Sequence, residues 1–204
     1  MTTAQRPADR RVVVLVSGAG SNLQALLDRD DLGGRVVRVV ADVPGAGGLD
    51  RARAAGVAAV VVDRNGHPDR NAWEEALSEV VAAAEPDLVV LAGFMRILSG
   101  RFVRRWPIVN VHPSLLPAFP GAHAVADALA HGVKVTGVTV HFVAEEVDAG
   151  PIIAQEAVGV AADDTPDSLH ERIKAVEHRL LPDAVRSFCR GRLQVDGRHV
   201  RSLP

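Results

Sequence analysis

The run Arg11-Val12-Val13-Val14-Leu15-Val16-Ser17-Gly18-Ala19-Gly20-Ser21-Asn22-Leu23 decides the fold. Its first six residues read as a buried strand. The glycine-rich turn after them gives way to Leu23, Leu26 and Leu27 at helical spacing. Strand, tight turn and helix in that order make half of a βαβ unit. Such a turn aims main-chain N–H groups and a helix start at whatever lies above the sheet, a natural seat for a phosphate. A dinucleotide fingerprint would want a third glycine where this chain has Leu23, so the turn is read as a single-phosphate site. Asp42, at the end of the next apolar run, stands where a ribose-binding acid would be, and would serve equally as a strand-end acid or a helix N-cap.

Outward from this unit the rhythm repeats. The spacing predicts strands over 36–41, 57–62 and 88–92, and helices over 49–55 and 68–84, with Gly34, Gly56 and Pro86 as punctuation. Alternating strands and helices imply a parallel sheet with right-handed crossovers, whose ligands sit beyond the carboxyl ends of the strands. After residue 121 the pattern changes. A short helix is expected over 123–131, then two alternating strands over 135–143 and 151–160 separated by an acidic loop, 144–150. Thr165-Pro166 opens a last long helix with Leu169, Ile173, Val176 and Leu180 on its apolar stripe. Lys174 and Glu177 on that helix read as a surface ion pair, and 193–200 as a hairpin around Asp196-Gly197. The expected class is α/β: a Rossmann-like open, mostly parallel twisted sheet flanked by helices, with an antiparallel extension in the C-terminal half. Residues 1–204 are read as a single domain with a flexible tail at 1–10.

Composition sets the outer bounds. With 204 residues, 48% hydrophobic and 24% charged, the chain fits one globular core. A net charge of -2 argues against a nucleic-acid surface, and the cluster Arg101, Arg104, Arg105 reads as a solvated helix face. The lone Cys189 sits at a helix end, outside any reactive setting. No apolar run approaches membrane-spanning length, and a cytoplasmic location without membrane partners is expected. No His/Cys cluster has metal-ligand spacing, so no metal is expected.

The stretch Ile108-Val109-Asn110-Val111-His112-Pro113-Ser114-Leu115-Leu116-Pro117 carries the candidate chemistry. Asn110 and His112 are two apart, so in a strand they leave one face while Val109 and Val111 enter the other. They would serve as two hydrogen-bonding groups aimed at one spot, or as the polar tip of a strand running into a turn. Asp148 in the acidic loop joins them if that loop folds back over His112, and is otherwise a turn-forming acid.

Four stretches, 17–25, 91–98, 110–117 and 147–151, resemble the folate-dependent formyltransferase family in order and spacing, with the Asn-x-His-Pro-Ser-Leu-Leu-Pro motif and the later Asp common to the group. The Ser-Gly-x-Gly-Ser-Asn turn narrows the likeness to the branch acting on phosphoribosylglycinamide. The resemblance implies formyl transfer from 10-formyltetrahydrofolate to the glycinamide amine, with two small-molecule substrates and a chain that is a monomer or homodimer. Asn110 matches the family's amide donor to the formyl oxygen, His112 its catalytic imidazole, and Asp148 the acid that supports the imidazolium and relays protons. Gly20, Ser21 and Asn22 would hold the ribose phosphate, with Lys174 and Glu177 closing over the ribonucleotide. Met95, Arg96, Ile97 and Leu98 would line the folate pocket with Asn110, Ala144, Glu145, Glu146, Val147 and Asp148, and Arg70 falls where the family has an arginine near the folate. His123 and His141 match family histidines and suit structural roles as well. Ala149 and Ala118 depart from the pattern, at a glycine and a basic position respectively. The alternatives are a formyltetrahydrofolate hydrolase, another folate-dependent formyltransferase, or a non-enzymatic nucleotide-binding module.

Overall fold

A computed structural model of the chain describes residues 9–203. The expected tail at 1–10 falls largely outside them, and Arg10 already opens the first strand, β1 (Arg10–Val16). The order continues α1 (Ser21–Leu27), β2 (Gly34–Ala41), α2 (Gly47–Ala54), β3 (Ala58–Val61), α3 (Arg70–Ala82), β4 (Leu88–Leu91), α4 (Gly100–Val103) and β5 (Ile108–His112). Then come α5 (Ala124–Ala130), β6 (Val135–Phe142), β7 (Ile152–Gly159), α6 (Pro166–Cys189), β8 (Leu193–Asp196) and β9 (His199–Ser202). All lie in or against one nine-stranded sheet of order β3-β2-β1-β4-β5-β6-β7-β9-β8.

Strands β3 to β5 pair in parallel, and β5-β6-β7 is antiparallel, as the change from continuous apolar runs to alternation predicts. β1 sits between β2 and β4, so the chain reverses its direction of travel across the sheet beside β1. A crevice opens at such a switch point, beyond the strand ends. The C-terminal hairpin, expected on its own, extends the same sheet by pairing β9 with β7.

β1 shows how two cores are built from one strand. Val12, Val14 and Val16 face the larger apolar cluster, beneath α1 and α6, while Val13 and Leu15 face the second, with Trp73 and Leu77 of α3. All five are fully buried. Burying a Val or Leu side chain is worth roughly 1.5–3 kcal/mol, so a slip of one residue would cost most of the strand's contribution. β5 obeys the same alternation: Val109 and Val111 join the larger cluster and Ile108 the second, leaving Asn110 and His112 on the face of Ile108.

Two short elements carry too few residues for a periodic signal, the 3-10 turn Arg64–Gly66 and α4, capped by the Ser99 side chain. The long helix α6 starts as read, with Thr165 accepting from Ser168 N–H in a capping box and proline in the first turn. Its stripe differs from the expected one. The buried series is Leu169, Ile173, Glu177 and Leu181, each four apart, with Val176 and Leu180 only partly buried at its margin.

Candidate active site

The glycine-rich turn passes through left-handed backbone at Gly20, φ 73, immediately before α1. A β-carbon at Gly20 would lie 2.6 Å from Gly48 Cα, so the glycine is required both by the turn and by the approach of α2. Beside it lies a cleft of about 430 Å3, lined by Gly18 to Asn22, by Gly93 and Met95 after β4, by Val111 and Pro113 at the end of β5, and by His123, His170, Lys174 and Glu177. Four of the five predicted ribonucleotide residues are polar or charged groups aimed at one space: Ser21, Asn22, Lys174 and Glu177, with Gly20 at the turn.

The Lys174–Glu177 surface pair does not form. Lys174 bonds Glu171 instead, at 2.6 Å, and Glu177 is buried, accepting from Asn22 Nδ2 at 2.8 Å. Burial holds the Glu177 carboxyl above its ordinary range, opposed by the Asn22 hydrogen bond and by the charge of Lys174. Asn22 Oδ1 is buried without a partner among the described residues. A polar group in that state calls for a donor from a ligand or a water.

On the other face, β5 and the loops around it assemble the second group. His112 is 4% exposed, and its Nε2 lies 2.8 Å from the Phe119 carbonyl, an acceptor only. Nε2 is therefore the nitrogen that carries the proton of the neutral ring, which leaves Nδ1 free toward the acidic loop. Nδ1 faces Asp148 Oδ2 at 3.5 Å, which is too long for a direct hydrogen bond and close enough for strong charge attraction. The acidic loop does fold over His112. It is held there by the Gly121 N–H, which donates to Asp148 Oδ2 at 2.7 Å, with Asp148 itself in left-handed backbone, φ 52. Gly150 makes the fold-back possible, because a β-carbon there would sit 1.7 Å from the Phe142 carbonyl oxygen.

Antiparallel pairing sets His141 opposite Asn110 and Thr139 opposite His112. His141 Nδ1 donates to the Phe142 carbonyl at 2.9 Å, so its Nε2 is an acceptor, and Asn110 Nδ2 reaches it at 3.2 Å. Burial lowers the His141 pKa, which keeps the ring neutral and in this tautomer. Thr139 ties down the proline-rich loop: its hydroxyl donates to the Ser114 carbonyl and accepts from Leu116 N–H, while Gln155 donates to Leu116 O. His141 and Thr139 thus belong to the constellation. The signal for them was the period-two alternation of β6, which puts Thr139 and His141 on one face, although nothing in the sequence aligns that face with Asn110.

The residues read as a folate wall are distributed unevenly. Met95 and Ile97 are exposed at 69% and 63%, large apolar side chains on a surface loop. Leu98 is buried in the second core, so its side chain supports the loop and does not line an open pocket, because the apolar cluster beneath α3 takes it in. Arg96 bonds the buried Asp42 at 2.5 Å, which answers the Asp42 alternatives: it is a strand-end acid engaged by an arginine. Arg70, at the start of α3, donates to the Ile97 carbonyl at 2.8 Å and so does reach this loop. In the acidic loop Glu145 pairs with Arg104, while Ala144, Glu146 and Val147 are at least partly exposed. The arginine cluster is therefore more than a solvated face: Arg104 anchors Glu145, Arg101 lies 3.7 Å from Glu75, and Arg105 covers Trp106. His123, exposed at the start of α5, lines the cleft. Cys189 is buried and its thiol is pushed up to about 11 by burial, an inert setting. Among the described residues no helix is long and apolar enough to cross a membrane.

Known proteins resemble this chain in sequence and fold. Residues 10–185 match the family model described as formyl transferase. The chain is 50% identical over 202 residues to phosphoribosylglycinamide formyltransferase of Mycobacterium tuberculosis, covering 94% of this chain and 90% of that protein. It is 48% identical over 200 residues to the trifunctional purine biosynthetic protein adenosine-3 of Bos taurus, spanning 95% of this chain but 20% of that longer protein. The crystal structure of glycinamide ribonucleotide transformylase 1 from Symbiobacterium toebii superposes with a TM-score of 0.92 at 52% identity, covering 96% of this chain and 94% of that one. On this likeness in sequence and fold, the chain belongs to the formyl transferase family.

Proposed function

We propose that the chain transfers a formyl group from 10-formyltetrahydrofolate to the amine of 5'-phosphoribosylglycinamide, with Asn110, His112 and Asp148 as its catalytic residues. The observation that carries this reading is the convergence of those three side chains at the end of β5, whose neighbours Val111 and Pro113 line the cleft beside the glycine-rich turn. The two substrates would approach from the two faces of β5. The ribonucleotide occupies the cleft, its phosphate on the turn at Gly20, Ser21 and Asn22, its ribose toward Glu177 and Lys174. The donor lies against the loop 93–99, where Met95 and Ile97 offer apolar surface to a flat heterocycle. Arg70, Arg96 and the acidic loop from Ala144 through Glu145, Glu146 and Val147 to Asp148 frame that pocket, with the buried Leu98 supporting its loop from beneath.

In the reaction the glycinamide nitrogen attacks the formyl carbon, and the carbonyl electrons move to oxygen. That oxyanion needs donors in a water-poor site, generally the largest single contribution to such catalysis. Asn110 Nδ2 has a second N–H beyond the one given to His141, and protonated His112 has its Nδ1–H, since the 3.5 Å gap to Asp148 leaves room for another acceptor. Asp148 then takes up a proton from the attacking ammonium, directly or through water. Collapse of the intermediate expels the folate nitrogen, which accepts a proton in turn.

Incubation with 10-formyltetrahydrofolate, with and without the ribonucleotide, tests the proposal. Deformylation strictly dependent on the ribonucleotide is expected. Deformylation that ignores it would instead make the chain a hydrolase, and no turnover with either would leave a binding module.

A further inference from the structure

Between β4 and α4 the loop 93–99 has no regular secondary structure, yet side chains from three distant segments hold it at four of its seven residues. Ser17, after β1, accepts from Met95 N–H at 2.9 Å, and Asp42, after β2, accepts from Arg96 Nε at 2.5 Å. From α3, Arg70 donates to the Ile97 carbonyl at 2.8 Å, and Glu74 accepts from both the N–H of Ser99, at 2.8 Å, and its hydroxyl. Two of these four, Asp42 and Glu74, are buried acids, 1% and 4% exposed, and neither takes part in the chemistry above.

The burial of Asp42 is poorly explained by stability. One oxygen of Asp42 has no partner among the described residues, and the side chain meets one guanidinium that is itself 43% exposed. A buried charge so thinly compensated usually stabilises a fold less than an apolar residue of similar size would. What the two acids do achieve is placement. Asp42 ties the Arg96 side chain to the end of β2, and Glu74 ends the loop by fixing Ser99, the cap of α4. Between these ties Met95 and Ile97 stay exposed in a fixed shape. A surface held in its binding conformation before the ligand arrives loses less ordering entropy on binding.

We infer that Asp42 and Glu74 are positioning residues of the folate site, buried carboxylates that set the loop 93–99 in the form that receives the donor. The inference rests on the reading of that loop as the donor's wall. Its test uses the full-length chain with Asp42→Asn and Glu74→Gln, near-isosteric changes that remove charge. Steady-state kinetics in both substrates are combined with calorimetric binding of tetrahydrofolate, the product, to the free enzyme.

The KM for 10-formyltetrahydrofolate and the Kd for tetrahydrofolate should rise together, by about five- to twenty-fold for losing one preorganising tie, while kcat and the KM for the ribonucleotide stay within about twofold. Amide exchange should quicken at 95–99 and not in the core strands. Because Asp42 acts through Arg96, the losses of tetrahydrofolate affinity in Asp42→Asn and Arg96→Gln should be less than additive in the double variant. If Asp42→Asn fails to fold, Arg96→Gln breaks the same pair from its exposed side and is expected to raise the same Kd. Unchanged Kd and donor KM in both acid variants would overturn the inference, as would an equal fall in kcat and in affinity for both substrates. A wild-type chain that bound tetrahydrofolate but did not formylate the ribonucleotide would sink the proposed reaction and leave the positioning role to be judged by Kd. One that did not bind tetrahydrofolate would overturn both.

Discussion

Asp148, partly buried, and Glu177, buried, are acids at the carboxyl end of the sheet that are held in contrasting ways. Asp148 arrives on a loop, in left-handed backbone, and is met by the Gly121 N–H and by two imidazoles, 3.5 and 3.7 Å away. Glu177 stands in the middle of a 24-residue helix, on its apolar stripe, and has one neutral amide for a partner. Asp148 is surrounded by a backbone donor and two imidazoles, whereas burial leaves the proton affinity of Glu177 raised. One arrangement suits moving protons. The other suits waiting for hydroxyl donors from a ligand.

The sharpest way to break this contrast is on the Asp148 side. His112→Ala removes the group that Asp148 serves and is expected to lower kcat/KM by about 1,000-fold, the usual scale for losing a positioned proton-carrying group that also stabilises an oxyanion. Circular dichroism should show the fold retained. Near-normal turnover would show that the Asp148 cluster is only architecture. Asp148→Asn keeps the loop's shape and the Gly121 contact while removing the charge facing Nδ1. A fall of about 100-fold, with a displaced pH profile of kcat/KM, is the expected outcome. An unchanged profile would mean that Asp148 only shapes the loop and, like Glu177, has no proton to move.

His141→Ala probes the same cluster one step out. Its ring is kept neutral by burial and accepts from Asn110, so its removal frees that amide to rotate. The expected loss is about tenfold in kcat with both KM values nearly unchanged, on the scale of one oriented hydrogen bond. An effect on the ribonucleotide KM instead would move His141 to the Glu177 side of the comparison.

How much of this could be read in the sequence differs between the two acids for physical reasons. The strand, turn and helix at residues 10–27 and the pair Asn110, His112 were legible because local periodicity and turn chemistry are local in the chain. That Asp148 would reach His112 was implied by resemblance alone. The contact depends on Gly150 passing the Phe142 carbonyl and on a loop closing across 36 residues of chain, from 112 to 148, which no periodicity encodes. The same holds for Asp42 with Arg96 and Glu74 with Ser99, pairs made by topology. Glu177 is the instructive miss. Reading Leu169, Ile173, Val176 and Leu180 as the stripe put it on the surface beside Lys174, yet the strict i, i+4 series from Leu169 runs through Glu177 to Leu181. A glutamate at a core position of an apolar stripe was the available sign of a buried functional acid.

The smallest expected effect sharpens that point. A carboxyl whose folded pKa is raised binds its proton more tightly in the native than in the unfolded chain. Its stabilising contribution is therefore complete below the ordinary value of 4.5 and is lost as pH rises through the higher folded value. Glu177→Gln keeps an acceptor for Asn22 Nδ2 and has nothing to ionise. Between about pH 4 and pH 8 the denaturation midpoint of Glu177→Gln should thus gain on the wild type as pH rises, each unit of pKa elevation being worth about 1.4 kcal/mol. Parallel midpoints would show that Glu177 ionises in the folded chain as easily as in the unfolded one. Saturating ribonucleotide should narrow the gap, because ribose hydroxyls donating to the Glu177 carboxylate would restore to the wild type the compensation that the free cleft lacks. A gap that widened with ribonucleotide bound would mean that the ligand buries the charge without answering it.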